Sequence, residues 1–197
     1  MKKEFLPYDV VRNNALKLAQ TIFNDGFIPN VIYVSLRGGA YIGNVISEYF
    51  NLCYKSERPI YYAAVVARSY TTAGKAGRII IEGWTYPPEH LEKGNKVLLV
   101  DDIFDSGNTI NHLADIILSK GILRKDLKIA VHDYKFFHDK ANQPLIRPDY
   151  WCRKHVLSNT DEKKWIHYMS HELVGLTPQE LEGYYYSQEP SLRGVFS

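Results

Sequence analysis

Three carboxylates stand close together in the stretch Val97-Leu98-Leu99-Val100-Asp101-Asp102-Ile103-Phe104-Asp105-Ser106-Gly107-Asn108-Thr109-Ile110. Asp101 and Asp102 are adjacent, and Asp105 follows three positions later. Neighbouring carboxylates accept hydrogen bonds from vicinal hydroxyls or hold a divalent cation through oxygen. Ser106-Gly107-Asn108-Thr109 is a small polar turn whose hydroxyls and backbone N–H groups suit a phosphate, provided a helix starts there. The two halves together call for a ligand with hydroxyls beside a phosphate, and a phosphorylated ribose meets both. A second turn, Leu36-Arg37-Gly38-Gly39, lets backbone approach a ligand closely and adds the charge of Arg37.

These groups need a scaffold that brings turns to one place. Val97–Val100 is an apolar run fit for a strand buried on both faces, ending at the acids. Ile110, Leu113, Ala114, Ile117 and Leu118 form a helical stripe directly after the turn. The same order of strand, glycine turn and helix occurs earlier, in Val31–Ser35 followed by Ile42, Val45, Ile46, Tyr49 and Phe50. Asp9 is expected to cap a first helix with Val11, Ala15, Leu18, Ala19 and Ile22 on one face, stopped by Asn24-Asp25-Gly26. Ile60–Arg68 and Arg78–Glu82 read as strands of one antiparallel ribbon, joined by a polar, glycine-containing loop from Ser69 to Gly77. Leu127–Val131 reads as a buried strand and Asp149–Cys152 as another, with a basic, irregular segment over His132–Pro148 between them. Thr177-Pro178-Gln179-Glu180 has the form of a capping box. Alternating strands and helices predict an α/β fold, a Rossmann-like doubly wound, mainly parallel sheet. Such sheets bind ligands beyond the carboxyl ends of their strands, where both glycine turns fall.

Length and composition agree. A chain of 197 residues, 45% hydrophobic and 23% charged, suits one globular domain. A net charge of +2 gives no reason to expect a nucleic-acid or membrane partner. Cys53 and Cys152 lie in no metal-ligand or redox spacing, which points to a reduced, cytoplasmic setting. The N-terminal residues carry no apolar core of signal-peptide length.

The central stretch resembles the 5-phosphoribosyl 1-pyrophosphate (PRPP) loop of type I phosphoribosyltransferases: apolar strand, two acids, two mostly apolar residues, a small residue, then Thr/Ser-Gly-x-Thr. The resemblance implies that fold, with a small hood, over a core from about residue 8 to residue 172 of a single 1–197 domain, with 173–197 a C-terminal extension. It assigns Asp101 and Asp102 to the ribose hydroxyls, with Asp102 nearest a Mg2+ ion, and Ser106, Gly107, Asn108 and Thr109 to the 5-phosphate. Arg37 and Gly38 resemble the pyrophosphate loop of the purine enzymes, in which a non-proline cis peptide precedes the basic residue, here Leu36–Arg37. Ser69-Tyr70 resembles a lid, from which Lys75 and Arg78 would reach pyrophosphate. Asp105 resembles the general base of the 6-oxopurine branch, a position commonly Ala in the adenine branch. Lys135, placed after the strand Leu127–Val131 and a short link, resembles the lysine that donates to purine O6. Trp165 and Ile166 resemble the pair that stacks on the base and meets its N1 and 2-substituent.

The resemblance therefore implies a cytoplasmic purine salvage enzyme acting on PRPP and a 6-oxopurine, working as a homodimer or homotetramer. A PRPP-binding regulator without catalysis, or transfer to another base, are the alternatives. Two departures bear on the choice of base. Where xanthine-guanine enzymes carry Pro-Trp-Asp or Pro-Trp-Glu, this chain has Tyr168-Met169-Ser170-His171-Glu172, which does not select among hypoxanthine, guanine and xanthine. The pyrophosphate turn reads Ser-Leu-Arg-Gly-Gly where some members have Ser-Arg-Gly-Gly.

Overall fold

The computed structural model describes residues 3–56, 58–70, 78–137, 144–158 and 164–196. They form the strands β1 (Lys3–Leu6), β2 (Val31–Leu36), β3 (Tyr61–Tyr70), β4 (Arg78–Trp84), β5 (Val97–Phe104), β6 (Leu127–Phe137), β7 (Tyr150–Leu157) and β8 (Trp165–Tyr168). The helices are α1 (Tyr8–Asn24), α2 (Gly39–Cys53), α3 (Asn108–Ser119) and the short α4 (Pro178–Glu180). The chain divides into two compact units, Asp9–Lys163 and a second made of Met1–Tyr8 with Lys164–Ser197.

The larger unit is built on one sheet in the order β4-β3-β2-β5-β6-β7. Every pairing in it is parallel except β3 with β4. Its central strands are continuous apolar runs because both faces are covered: Val31–Val34 and Val97–Val100 are all buried. The first three helices present stripes at helical spacing, such as Ile110, Leu113, Ala114 and Ile117 on α3. From β2 the chain crosses to β3 on one side, and from β5 to β6 and β7 on the other. Strand order therefore reverses between β2 and β5, the point at which open α/β sheets bind ligands beyond the strands' carboxyl ends.

One irregularity in β5 and β6 determines what faces that point. Val97 and Leu99 of β5, and Leu127, Ile129 and Val131 of β6, share one apolar cluster with α3. Strict alternation would add odd-numbered residues, yet the next members are Phe104 and Tyr134, with Phe136 packed against them. Facing thus slips by one residue in both strands at the same level, and Ile103 stays opposite Asp133 in register. The slip disturbs the backbone ladder, and the acids take its place. Asp102 N donates to Asp101 Oδ1 at 3.0 Å, and Ile103 N donates to Asp102 Oδ1 at 2.8 Å.

The same slip accounts for one expectation that fails. His132–Phe137 is not irregular but continues β6, so Lys135 is a strand residue rather than one beyond a link. Charged Asp133 and Lys135, alternating with Tyr134 and Phe136, hide the strand in the sequence, and the fold supplies partners for their charges. Ser69 and Tyr70 are likewise part of β3, because they pair with Ile79 and Arg78 across the antiparallel ribbon. The expected loop residues 71–77, Lys75 among them, lie outside the described residues. Asp9 sits inside the first turn of α1, one residue past the helix start, where a carboxylate still complements the positive helix end.

The smaller unit holds a strand pair that sequence reasoning did not anticipate: β1 runs parallel to β8, Lys3 opposite Trp165 and Leu6 opposite Tyr168. The C-terminal residues pack on it. Phe5 stacks on Tyr184 with ring centroids 3.8 Å apart, and Lys3 Nζ donates to Glu180 Oε2 at 2.7 Å. The capping box forms as expected, Thr177 Oγ1 accepting from Glu180 N and Glu180 Oε2 from Thr177 N.

Gly43 of α2 tests how tightly helix and sheet are joined. A Cβ there would overlap the Cγ1 of Val34 on β2. Replacing an interior helical Gly by Ala gains about 1 kcal/mol in propensity, whereas overpacking a stiff β-branched neighbour costs about 1–3 kcal/mol. Gly43→Ala should therefore lower the urea midpoint on balance. A raised midpoint would show that α2 does not lie this close to β2.

Candidate active site

Two strand-to-helix turns flank the point where strand order reverses. After β2 the peptide Leu36–Arg37 is cis, as the resemblance implies, and Gly38 leads into α2. The turn lies directly on β5. A Cβ on Gly38 would land on the Asp102 carboxylate, and one on Gly39 would come within 2.5 Å of the Val100 carbonyl oxygen. Only glycine fits either position, and Arg37 between strand and glycines is exposed. Gly38 and Gly39 thus stand against β5 at the acid pair.

On β5 itself, Asp101 and Asp102 are both buried, 9% and 8% exposed. The strand runs on to Phe104, so the acids lie within it rather than at its end. Burial pushes the Asp101 carboxyl well above the usual carboxylate range, and the adjacent Asp102 adds to the shift; a hydrogen bond from the Ser35 side chain opposes it. Asp101 therefore tends to keep its proton.

The second turn holds Asp105 to Thr109. Gly107 has φ +75, a left-handed conformation, and a Cβ there would run into the Phe104 ring and come within 2.9 Å of Pro144 Cγ. Helix α3 begins at Asn108, so Asn108 and Thr109 occupy its first turn, slightly earlier than the apolar stripe suggests. The first-turn N–H groups of a helix lack intrahelical acceptors and form an anion site. Ser106 and Asn108 are exposed beside them, and Asn108 N reaches Ser106 Oγ at 3.4 Å.

Asp105 and Lys135 meet across the ends of β5 and β6. Lys135 Nζ donates to Asp105 Oδ2 at 3.1 Å; Lys135 is 7% exposed and Asp105 40%. A carboxylate open to solvent is thus held beside a buried cation. Of the expected PRPP residues in the larger unit, Arg78 heads β4, and Lys75 falls outside the described residues. Trp165, half exposed, and Ile166, buried, both stand on β8 of the smaller unit.

Sequence reasoning missed Asn111. Its Nδ2 donates to Gly107 O at 3.0 Å and to Ile146 O at 2.9 Å, and its Oδ1 accepts from Ile146 N at 2.9 Å. It ties the Gly107 turn to the segment before β7. An amide four residues after a turn glycine, on a helix otherwise apolar inward, was the available signal.

The comparisons with known proteins follow this geometry. Residues 8–167 match the model of the phosphoribosyl transferase domain. No curated protein matches the chain by sequence. Among solved structures, it is similar to a purine phosphoribosyltransferase from Pyrococcus horikoshii Ot3, at 21% identity and a TM-score of 0.66, covering 90% of this chain and 99% of that one. It is similar at 21% identity and a TM-score of 0.63 to a hypothetical protein from Neisseria gonorrhoeae solved with bound ppGpp, covering 88% and 91%. A Helicobacter pylori xanthine-guanine-hypoxanthine phosphoribosyltransferase is similar at 20% identity and a TM-score of 0.58, covering 84% and 92%. Among the described residues no helix is long and apolar enough to cross a membrane.

The raised Asp101 carboxyl carries a stability consequence. The native state holds a proton that the unfolded chain releases near pH 4, so stability falls as pH rises from there through the folded value. Asp101→Asn keeps the acceptor for Asp102 N and removes the ionisation. The variant should unfold at higher urea than wild type at pH 7, with the gap closing as the pH falls to about 4. A variant less stable than wild type at pH 7 would contradict the buried-acid account.

Proposed function

This chain belongs to the phosphoribosyl transferase domain family, and from that premise we propose that it is a purine salvage enzyme, transferring phosphoribose from PRPP to a 6-oxopurine and releasing nucleoside monophosphate and pyrophosphate. The observation that carries the choice of base is the Asp105–Lys135 pair, 3.1 Å apart at the strand ends beside the phosphate turn. A 6-oxopurine presents O6 and N7, both acceptors in the product nucleotide, on one edge. A lysine is donor only, so it suits an oxo group and disfavours an amino group. Asp105, exposed enough to meet a ligand, takes the proton from the purine as the new bond to ribose forms.

Breaking the bond from ribose C1 to pyrophosphate builds positive charge on the sugar and negative charge on the leaving group. The N–H groups and hydroxyls of Ser106–Thr109 hold the 5-phosphate. Asp101 and Asp102 take the ribose hydroxyls, and Asp101, keeping its proton, donates as well as accepts. Arg37 and the backbone at Gly38 face pyrophosphate, and the family resemblance adds Lys75 and Arg78 to that role. The family resemblance gives Trp165 the role of stacking on the base and Ile166 that of meeting its N1 edge. Asp102 fits Mg2+ by donor chemistry: it offers hard carboxylate oxygens beside a second acid. When bound, the ion stabilises charge on the departing pyrophosphate. The ppGpp held by the Neisseria gonorrhoeae neighbour is a phosphorylated ribotide of a 6-oxopurine, which supports the reading. Self-association into a dimer or tetramer and a cytoplasmic setting belong to the same proposal.

Incubation with PRPP, Mg2+ and a panel of adenine, hypoxanthine, guanine and xanthine, read by product mass, tests it. The reading expects monophosphates of the oxopurines and none of adenine. Adenosine monophosphate as the main product, or no transfer at all, would overturn it. Asp105→Ala should cut kcat by about 10²–10⁴-fold while PRPP affinity, measured by calorimetry, stays near wild type. Unchanged turnover would remove Asp105 from its role.

A further inference from the structure

Beside the Asp105–Lys135 pair lies a second polar cluster that the reaction does not use. Asp133, two residues before Lys135 and opposite Ile103, is fully buried. Its Oδ2 accepts from His132 Nδ1 at 2.6 Å, and its Oδ1 accepts from Arg153 Nε at 2.7 Å and His155 Nε2 at 2.5 Å. Asn14 Nδ2 lies 3.1 Å from His132 Nε2. An amide nitrogen only donates, so Nε2 accepts and the proton sits on Nδ1, aimed at Asp133. Across β6 and β7, Arg153 is the register partner of Asp133, and His155 of Lys135.

We propose that Asp133 is a positioning residue for Lys135: by gathering His132, Arg153 and His155 onto one buried carboxylate, it holds the slip in β6 that turns Lys135 toward Asp105. The inference rests on the purine-reading role given to Lys135 above. Leu127, Ile129 and Val131 face the apolar cluster under α3. Unbroken alternation would send Asp133 and Lys135 to that same face, among Ile110 and Leu113, where a carboxylate has no polar partner. The guanidinium and two imidazoles give it partners away from that face. Because side chains alternate, moving Asp133 inverts every residue after it. Tyr134 and Phe136 then take the apolar side, and Lys135 emerges where its Nζ meets Asp105. The cluster's β7 members lie across β6 from the acid pair of β5 and the two glycine turns, so its effect is on the base.

Steady-state kinetics of Asp133→Asn test this. The variant should raise KM for the 6-oxopurine about tenfold, the loss of one well-aimed charged hydrogen bond, and leave KM for PRPP unchanged. The rise should shrink with unsubstituted purine, which lacks O6, and Asp133→Asn should add no further loss in a Lys135→Ala background. Equal rises for both substrates, an undiminished effect without O6, or additive losses with Lys135→Ala would each overturn the proposal. If Asp133→Asn does not fold, His155→Gln, which keeps a donor on β7, should show the same base-selective rise in weaker form, and a rise shared with PRPP would overturn it. No transfer by the wild-type chain to any oxopurine sinks the functional reading and this inference together, whereas wild-type transfer with an indifferent Asp133→Asn sinks the inference alone.

Discussion

Two adjacent carboxylates inside a sheet are the constraint to which the larger unit answers. Charges in such a place are costly unless paired, hydrogen-bonded or neutralised. The fold uses more than one remedy. The side chains of Asp101 and Asp102 accept the N–H groups of the residues that follow them, where the facing of β5 slips. Asp101 leans to its neutral form. Asp102 lies beneath a turn whose glycine leaves it room. An arrangement that merely filled a core would place Leu or Val at both positions, as β5 does at each of the four positions before them. Retaining the acids at this cost fits a strand that must grip a polar ligand.

Geometry then follows from where the strand order reverses. The turns after β2 and β5 come together because these strands are neighbours while their helices leave in opposite directions around the sheet. Gly38, Gly39 and Gly107 are required for different reasons. The first two yield space to Asp102 and Val100, and the third needs both a positive φ and the room beside Phe104. One turn brings an exposed cation and the other a helix N-terminus, which the proposed reading gives to two anionic groups of one ligand. Slipped facing in β5 and β6 adds a carboxylate and a lysine, which the same reading gives to the base.

Much of this was legible in the sequence, for a physical reason. Apolar runs buried on both faces, helical stripes and glycine turns are local signals, so β2, β5, α1, α2 and α3 and both turns could be read directly, and the family resemblance added the cis Leu36–Arg37 bond. What escaped depends on partners distant in the chain. Asp133 and Lys135 made the second half of β6 look like a loop, because the groups that neutralise them come from His132, from β7 and from Asp105. β1 is four residues long and exists through β8, some 160 positions away. Asn111 acts on Ile146, which no spacing rule connects to it. The pattern of misses is consistent: charged residues in strands are readable only once their long-range partners are known.

The central claim is that a sugar bearing a 5-phosphate and a 1-pyrophosphate docks at the β5–α3 turn, its ribose held by Asp101 and Asp102. A crystal structure of the chain soaked with PRPP and Mg2+ tests it most directly. The account predicts the 5-phosphate on the backbone N–H groups of residues 106–109, the ribose hydroxyls on the two acids and pyrophosphate at Arg37-Gly38. Density for the compound at any other surface, with the acid pair untouched, would contradict it.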